Sequence, residues 1–314
     1  MGSIKSSILV YGSPANPVIS YLLQYLSSRS SKPVVFIQQE TFLTQTKLTF
    51  SINQNQIEGS FILPDGSGLN FSEISGLCME NQFVSAYGFT ELSEKDKQYV
   101  QTEGWAALLA AAASLSHQCS VLNPLPKIDL SMGRGGAVLL LQKYGFDSPH
   151  FLITSDPEKA KEFYQTWKGQ VIYKHVKDPD AMFKKMTNQD LQRIEKISYC
   201  PVHFEEYSPG KVIRLVTVGK ETFGFEESLS QTGTVNLSLY SLEENWKFQS
   251  LQLAQDINIP LLEIRLRITP DGKCQGLGVY PFASLPILTF TNEKGDSLIG
   301  RSILNLLEQG NPLS

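Results

Sequence analysis

Residues 202–219 read Val202-His203-Phe204-Glu205-Glu206-Tyr207-Ser208-Pro209-Gly210-Lys211-Val212-Ile213-Arg214-Leu215-Val216-Thr217-Val218-Gly219. Two strand-like runs meet at Ser208-Pro209-Gly210, and Gly219-Lys220 turns the chain again into Glu221–Phe225. Short runs of apolar residues broken by Gly and Pro at close spacing predict antiparallel strands. A further hairpin is predicted for Leu261–Ile268 and Lys273–Val279, turned by Pro270-Asp271-Gly272, with a closing helix over Leu298–Leu307.

Working outward, the N-terminal third has a different character. Ile8–Tyr11 and Val34–Ile37 read as buried strands around a helical stretch, Val18–Leu26, which is how an open α/β domain begins. Two alternating segments, Lys47–Ile52 and Gln56–Leu63, read as a hairpin, Ile74–Met79 as a strand and Leu92–His117 as a long helix. Asn123-Pro124-Leu125-Pro126 marks the first domain boundary. Beyond it, a helix over Arg134–Tyr144, a strand over Phe151–Thr154, a helix opened by Ser155-Asp156-Pro157-Glu158 and a strand over Val171–Val176 are expected. The polar stretch Lys177–Lys196 reads as a flexible flap.

With 314 residues the chain is expected to divide into two or three subdomains. Hydrophobic residues make up 41% and the formal net charge is −4, so neither nucleic acid nor an anionic membrane surface is an expected partner. The longest apolar run, Trp105–Leu115, is too short to span a bilayer and reads as a buried helix. No secretory signal precedes Ile4, which gives a cytoplasmic expectation. Met1–Ser6 fits the short myristoylation pattern, but a core strand follows directly at Ile8.

Several chemistries lack their residues. Cys78, Cys119, Cys200 and Cys274 are scattered, which predicts reduced thiols, and zinc-ligand spacing is absent. His117, His150, His175 and His203 form no H-E-x-x-H motif, and no Ser-His-Asp, Cys-His or paired-carboxylate constellation stands out. Gly133-Arg134-Gly135-Gly136 lacks the Lys-Ser/Thr ending of a P-loop and reads as a loop opening a helix.

An ordered series of short motifs runs through the rest of the chain: Asn123-Pro124, Arg134, Gln142, Gly145, Pro149, Ile153-Thr154, Val171-Ile172-Tyr173-Lys174, Phe204-Glu205-Glu206-Tyr207, and Val212 to Gly219. The series resembles the ATP-grasp family. It is similar to the ribosomal-protein glutamate ligases and, more closely, to the ligases that crosslink side chains in microviridin-type (graspetide) peptides. The resemblance implies an α+β fold: an α/β domain over residues 1–125, then two ATP-grasp subdomains over 126–199 and 200–314, with ATP between two antiparallel sheets. It implies a basic residue near the phosphates at Arg134, a phosphate contact at Lys174, an adenine-holding hinge at Glu205, Glu206 and Tyr207, and a phosphate-side residue at Arg214. Lys174, Arg214 and Glu206 are expected to face one cleft. Beside these roles stand plainer ones: a strand lysine with a solvated head, and an Arg214 salt bridge to Glu205 or Glu206.

At the metal positions the chain departs from the family. The resemblance implies an Asp early in the late hairpin and a Glu-x-Asn near its end, holding magnesium. Here those positions carry Arg265, Gly278 and Tyr280, although Asp271-Gly272 and Pro281 keep the framework. An Asp-x-Arg after the central hairpin corresponds to Asn236-Leu237-Ser238, without acid or base. Glu226, Glu227 or Glu263 would have to supply carboxylates instead.

Three readings follow. The first is a degenerate ATP-grasp protein that has lost Mg-ATP chemistry and binds a peptide or protein, such as a precursor peptide or an active ligase, in peptide modification. It has no assigned metal or cofactor, and ATP without magnesium stays open, as does a homo-oligomer. The second is a working carboxylate–amine or carboxylate–hydroxyl ligase with rearranged metal ligands. The third is an ATP-independent enzyme on the same scaffold.

Overall fold

The computed structural model describes residues 7–53, 56–79, 84–86, 88–122, 133–176, 183–229 and 235–310. Met1–Ser6 and the Asn123–Pro126 boundary lie outside these residues. The N-terminal part runs β1 (Ser7–Gly12), α1 (Pro17–Arg29), β2 (Val34–Gln38), α2 (Phe42–Gln45), β3 (Lys47–Asn53), β4 (Gln56–Ile62), β5 (Gly68–Asn70), β6 (Ile74–Met79), α3 (Glu94–Ser116) and β7 (Ser120–Leu122). β2, β1, β6 and β7 form a parallel sheet in that order, and β3, β4 and β5 a separate antiparallel sheet. Alternation divides the parallel strands between two cores. Ile8, Val10, Cys78 and Leu122 pack with α1, while Leu9, Tyr11, Leu77, Met79 and Val121 pack with α3, with Phe61 of β4 and with Phe71 just after β5. Helix α1 starts where the sequence allows it: the Asn16 side chain accepts from the Val18 amide at 2.8 Å, and Pro17 needs no amide partner in the first turn.

The central part runs α4 (Gly133–Lys143), β8 (Phe151–Thr154), α5 (Pro157–Thr166), β9 (Val171–Lys174), β10 (Lys184–Lys185), α6 (Asn188–Gln192), a 3-10 turn over Ile194–Tyr199, and β11 (Val202–Glu206). Its antiparallel sheet has the order β10-β9-β11-β8. Two expectations are corrected. Gly133–Gly136 is the first turn of α4 rather than a loop, and α4 ends at Gly145 in the left-handed conformation (φ 84°), which glycine adopts without a Cβ penalty. Within the supposed flap, residues 183–196 carry β10, α6 and the first half of the 3-10 turn. Thr187 and Asp190 cap α6 reciprocally, and Ile194 is buried beside Phe204. Residues 177–182 of that stretch lie outside the described set.

The C-terminal part runs β12 (Lys211–Val218), β13 (Glu221–Leu229), β14 (Val235–Leu239), α7 (Glu244–Asp256), β15 (Leu261–Ile268), β16 (Cys274–Tyr280), α8 (Leu285–Leu288) and α9 (Leu298–Gln309). Its five strands are antiparallel in the order β14-β13-β12-β15-β16. Ile213, Leu215, Leu262, Ile264, Leu266 and Val279 point to one face, which α4 and α7 cover through Leu141, Trp246 and Leu253. The other face carries Val216, Val218 and Phe225, which join the N-terminal core through α8 and α9. Helix α9 buries Ile299, Ile303, Leu304, Leu306 and Leu307 and lies against β6 and β7, so the last helix closes the first sheet. Burying side chains of this size contributes about 1.5–3 kcal/mol each. The whole is α+β, as the resemblance implies.

Candidate functional site

The site grows from strand register. Arg214 on β12 lies opposite Arg265 on β15, and Arg265 lies opposite Gly278 on β16. Glu263 is paired with Tyr280 in the same ladder, and a shift between Arg265 and Leu266 returns Gln275 to the face of Arg267. Paired residues share a face. Arg214, Glu263, Arg265, Arg267, Gln275, Gly278 and Tyr280 therefore lie on the face opposite to α4 and α7, together with Glu227 of β13.

Arg214, Glu227, Glu263, Arg265 and Tyr280 form a connected network. Glu263 is fully buried and accepts three hydrogen bonds: from Arg265 Nε at 2.8 Å, Arg214 Nη1 at 3.2 Å and the Ser284 amide at 2.8 Å. Arg214 also binds Glu227 through Nε and Nη2, and donates to Ser284 Oγ at 2.7 Å. The guanidinium carbon of Arg265 lies 4.2 Å from the centre of the Tyr280 ring, a cation–π stack. The expected Arg214 partners, Glu205 and Glu206, are replaced by Glu227 and Glu263 because those two sit on the strands flanking β12. Glu226 points to the other face, paired with Lys211. Asn236 and Ser238 face that way too, since their register partners are Ser228 and Glu226.

The central sheet holds a second cluster. Lys174 is 9% exposed, so its head is not the solvated one of a surface strand lysine. It lies opposite His203, and Glu205 shares their face. His203 is fully buried, stacks on Phe151 at 5.3 Å and places Nε2 3.3 Å from Glu205 Oε2. Glu206 is opposite Val171 and so turns to the other face from Lys174, which corrects the expectation that Lys174 and Glu206 look the same way. Glu206 instead holds His150 Nδ1 at 3.0 Å and accepts from Gln275 Nε2 at 3.2 Å, tying the central sheet to the C-terminal one. The ring of Tyr207 receives Lys185 at 5.3 Å, and its amide donates to Gln170. Arg134 lies in the first turn of α4, and its side chain is outside the described residues. A separate cavity of about 300 Å³ lies on the far face of the central sheet, lined by Tyr173, Phe204, Ile194, Asp190 and Cys200.

Solved structures supply the frame for these clusters. The macrocyclase MdnC of Microcystis aeruginosa MRC, bound with precursor peptide MdnA, superposes with a TM-score of 0.77 at 19% identity over 96% of this chain and 99% of that one. The chain has the ATP-grasp fold. The Chryseobacterium gregarium RiPP-associated ATP-grasp ligase, in complex with ADP and a leader and core peptide, gives 0.75 at 18% identity over 96% of each chain. ATP-grasp ligase PsnB, complexed with minimal precursor, Mg and ADP, gives 0.75 at 17% identity over 98% and 99%. No family model and no curated protein sequence matches the chain.

Among the described residues, the face that carries Arg265, Gly278 and Tyr280 presents no open set of oxygen donors for magnesium. A hard cation needs oxygen ligands. Gly278 offers no side-chain oxygen, the Tyr280 ring is covered by a guanidinium, and Glu227 and Glu263 are already held by arginines. Among the described residues, no group of three or more His, Cys, Asp or Glu is placed to hold a metal ion. Each nearby guanidinium further opposes a cation by roughly 4 kcal/mol per unit charge at about 4 Å and an effective dielectric near 20. No described helix is long and apolar enough to cross a membrane.

Proposed function

We propose that this chain is an ATP-grasp protein of peptide modification that binds a peptide or partner protein in the cytoplasm and does not carry out Mg-ATP-dependent ligation. The observation that carries this reading is the network of Arg214, Glu227, Glu263, Arg265 and Tyr280, which consumes the carboxylates a metal would need. Support for a peptide partner comes from the fold relatives, whose structures hold precursor, leader or core peptides. Lys174, His203 and Glu205 on the central sheet are proposed as the surviving nucleotide-side cluster, and Glu206 with Gln275 as a link between the two sheets.

The test is a titration of the purified protein with precursor peptide MdnA, the peptide held by the fold relative MdnC, with ADP release followed in the presence of magnesium and ATP. Peptide binding without ADP release is the expected result. Magnesium-dependent ADP release that disappears in Lys174→Ala would overturn the reading. It would favour the working ligase instead, with Glu227 and Glu263, the two carboxylates on the arginine face, as its metal ligands.

A further inference from the structure

We propose that the crevice at the carboxyl end of β1 binds an alkylammonium group, with Glu40 as its counter-charge and Ser13 holding the carboxylate in place. The proposal deepens the peptide-binding reading and rests on it for the source of the ammonium, a lysine side chain or the amino terminus of the bound peptide. Topology, a carboxylate oxygen without a donor and the distribution of charge carry it.

β1 pairs with β2 on one side and with β6 on the other. The crossover helix after β1, α1, packs on one face of the sheet, and α3 after β6 packs on the other. The connections therefore part at the carboxyl end of β1, the switch point at which open parallel sheets bind their ligands. Register brings Ser13 and Glu40 to that end. Gly12 is the partner of Gln38, and the Gln39 amide donates to the Gly12 carbonyl at 3.0 Å, so the residues that follow on each side meet. Ser13 is buried and donates its hydroxyl to Glu40 Oε1. Glu40 Oε2 is also buried and, among the described residues, accepts from no donor. A buried acceptor left without a donor is costly, and a ligand that brings one removes the cost.

The start of α1 does not use this oxygen. The Val18 amide donates to the Asn16 side chain at 2.8 Å, the Ala15 amide to Ser13 Oγ at 3.2 Å and the Asn16 amide to the Ser13 carbonyl at 3.1 Å. The cations nearest in sequence lie elsewhere. Arg29 is roughly 18 Å further along the helix from Pro17 and faces Asp296, and Lys32 beyond it donates to the Glu308 carbonyl. Ser13 takes Oε1, so one carboxylate oxygen is left for a ligand. A single oxygen suits the point charge of an ammonium. It does not suit the planar fork of a guanidinium, which matches two oxygens at once. Nor does it suit a metal ion, since no group of three or more His, Cys, Asp or Glu is placed to hold one among the described residues.

The probe is n-butylammonium chloride, titrated into the purified chain and followed by saturation-transfer NMR. Tetramethylammonium, which has the charge but no N–H, and n-butylguanidinium serve as comparison cations. Butylammonium is expected to bind saturably, and each comparison cation at least about tenfold more weakly. Glu40→Gln, close to isosteric, should weaken butylammonium by about ten- to hundredfold, the scale of a hydrogen bond between charged groups. Ser13→Ala should weaken it less, because the carboxylate keeps its charge. Glu226→Gln, in the ion pair with Lys211 on the five-stranded sheet, should leave it unchanged. N-acetyl-lysine amide and glycinamide then separate a side-chain source from a terminal one. Competition by either supports the site and names the source, and competition by neither overturns the proposal. No saturable butylammonium binding, equal binding of either comparison cation, or an affinity unchanged in Glu40→Gln would also overturn it. The comparison of cations on the wild-type chain needs no variant to fold. MdnA binding without butylammonium binding would sink this inference alone, whereas butylammonium binding without MdnA binding would sink the peptide-binding reading and leave the ammonium site standing.

Discussion

The Tyr280 ring occupies the space that a side chain at Gly278 would need: a Cβ built on Gly278 would lie 2.7 Å from the Tyr280 hydroxyl oxygen and 2.9 Å from the ring. The two positions are therefore coupled. Arg265 is stacked on the same ring, its guanidinium carbon 4.2 Å from the ring centre.

Gly278→Ala is accordingly expected to destabilise the protein by about 1–3 kcal/mol, the usual cost of overpacking a filled site. In a Tyr280→Ala background the same change should cost little. Urea denaturation of the two single variants and the double variant reads the coupling directly. Additive effects would show that ring and glycine are independent.

Glu263→Ala should cost about 3–5 kcal/mol, the scale of breaking a buried ion pair from one side. The loss strips Arg214, Arg265 and the Ser284 amide of a shared acceptor. Glu226→Ala, on the opposite face of the same sheet and in a solvent-exposed ion pair with Lys211, should change stability by about 0–1 kcal/mol. Equal denaturation midpoints for the two variants would contradict the network described above.

Much of this architecture was legible in the sequence. The strands over 202–218 and 261–280 announce themselves by apolar runs and Gly or Pro turns, and the order of the short motifs pointed to the fold. Helix α7 was not legible: Trp246, Ser250, Leu253 and Ala254 form its buried stripe, but serine and alanine dilute the apolar signal among Glu, Asn, Lys and Gln. The site was legible by position and not by contact. The partners of Arg214 lie 13 and 49 residues away along the chain, on strands whose register only the folded sheet defines. Register also decides that Glu205, not Glu206, shares the side of Lys174. His203 gave no functional signal in the sequence because a lone histidine in a strand carries no motif.

The acid limb of stability should report on Asp190. Burial alone would raise its pKa, but hydrogen bonds from Thr187, Arg193 and Tyr173 outweigh burial and bring it down to about 2. A carboxyl with a depressed folded pKa contributes stability that is complete above its unfolded value near 3.8 and is lost as pH falls through about 2. Asp190→Asn should therefore lower the melting temperature most above pH 4, with variant and wild type converging toward pH 2. A difference independent of pH over that range would show that the charge of Asp190 is not what holds α6.

Thiol labelling should separate the cysteines. Burial pushes the Cys274 thiol up to about 12, with Glu243 and Asp147 adding to the effect. Cys78 and Cys119 are buried, whereas Cys200 is exposed and lines the cavity beside Tyr173 and Phe204. Iodoacetamide at pH 7.5 should modify Cys200 alone in the native protein, as read by peptide mass mapping, and all four thiols in urea. Native labelling of Cys274 at a comparable rate would contradict its environment.

The closure of the first sheet by the last helix sets a timetable for synthesis. Ser30 at the end of α1 meets Glu308 in α9 across 278 positions of chain. At about 5–20 residues per second, a ribosome takes roughly a quarter of a minute to a minute to cover that interval. Throughout it the Ile8, Val10 and Cys78 face of the nascent sheet lacks its α9 cover. The emerging chain therefore presents a sticky apolar surface for most of its translation, and chaperone capture in that window is a direct cost of its topology.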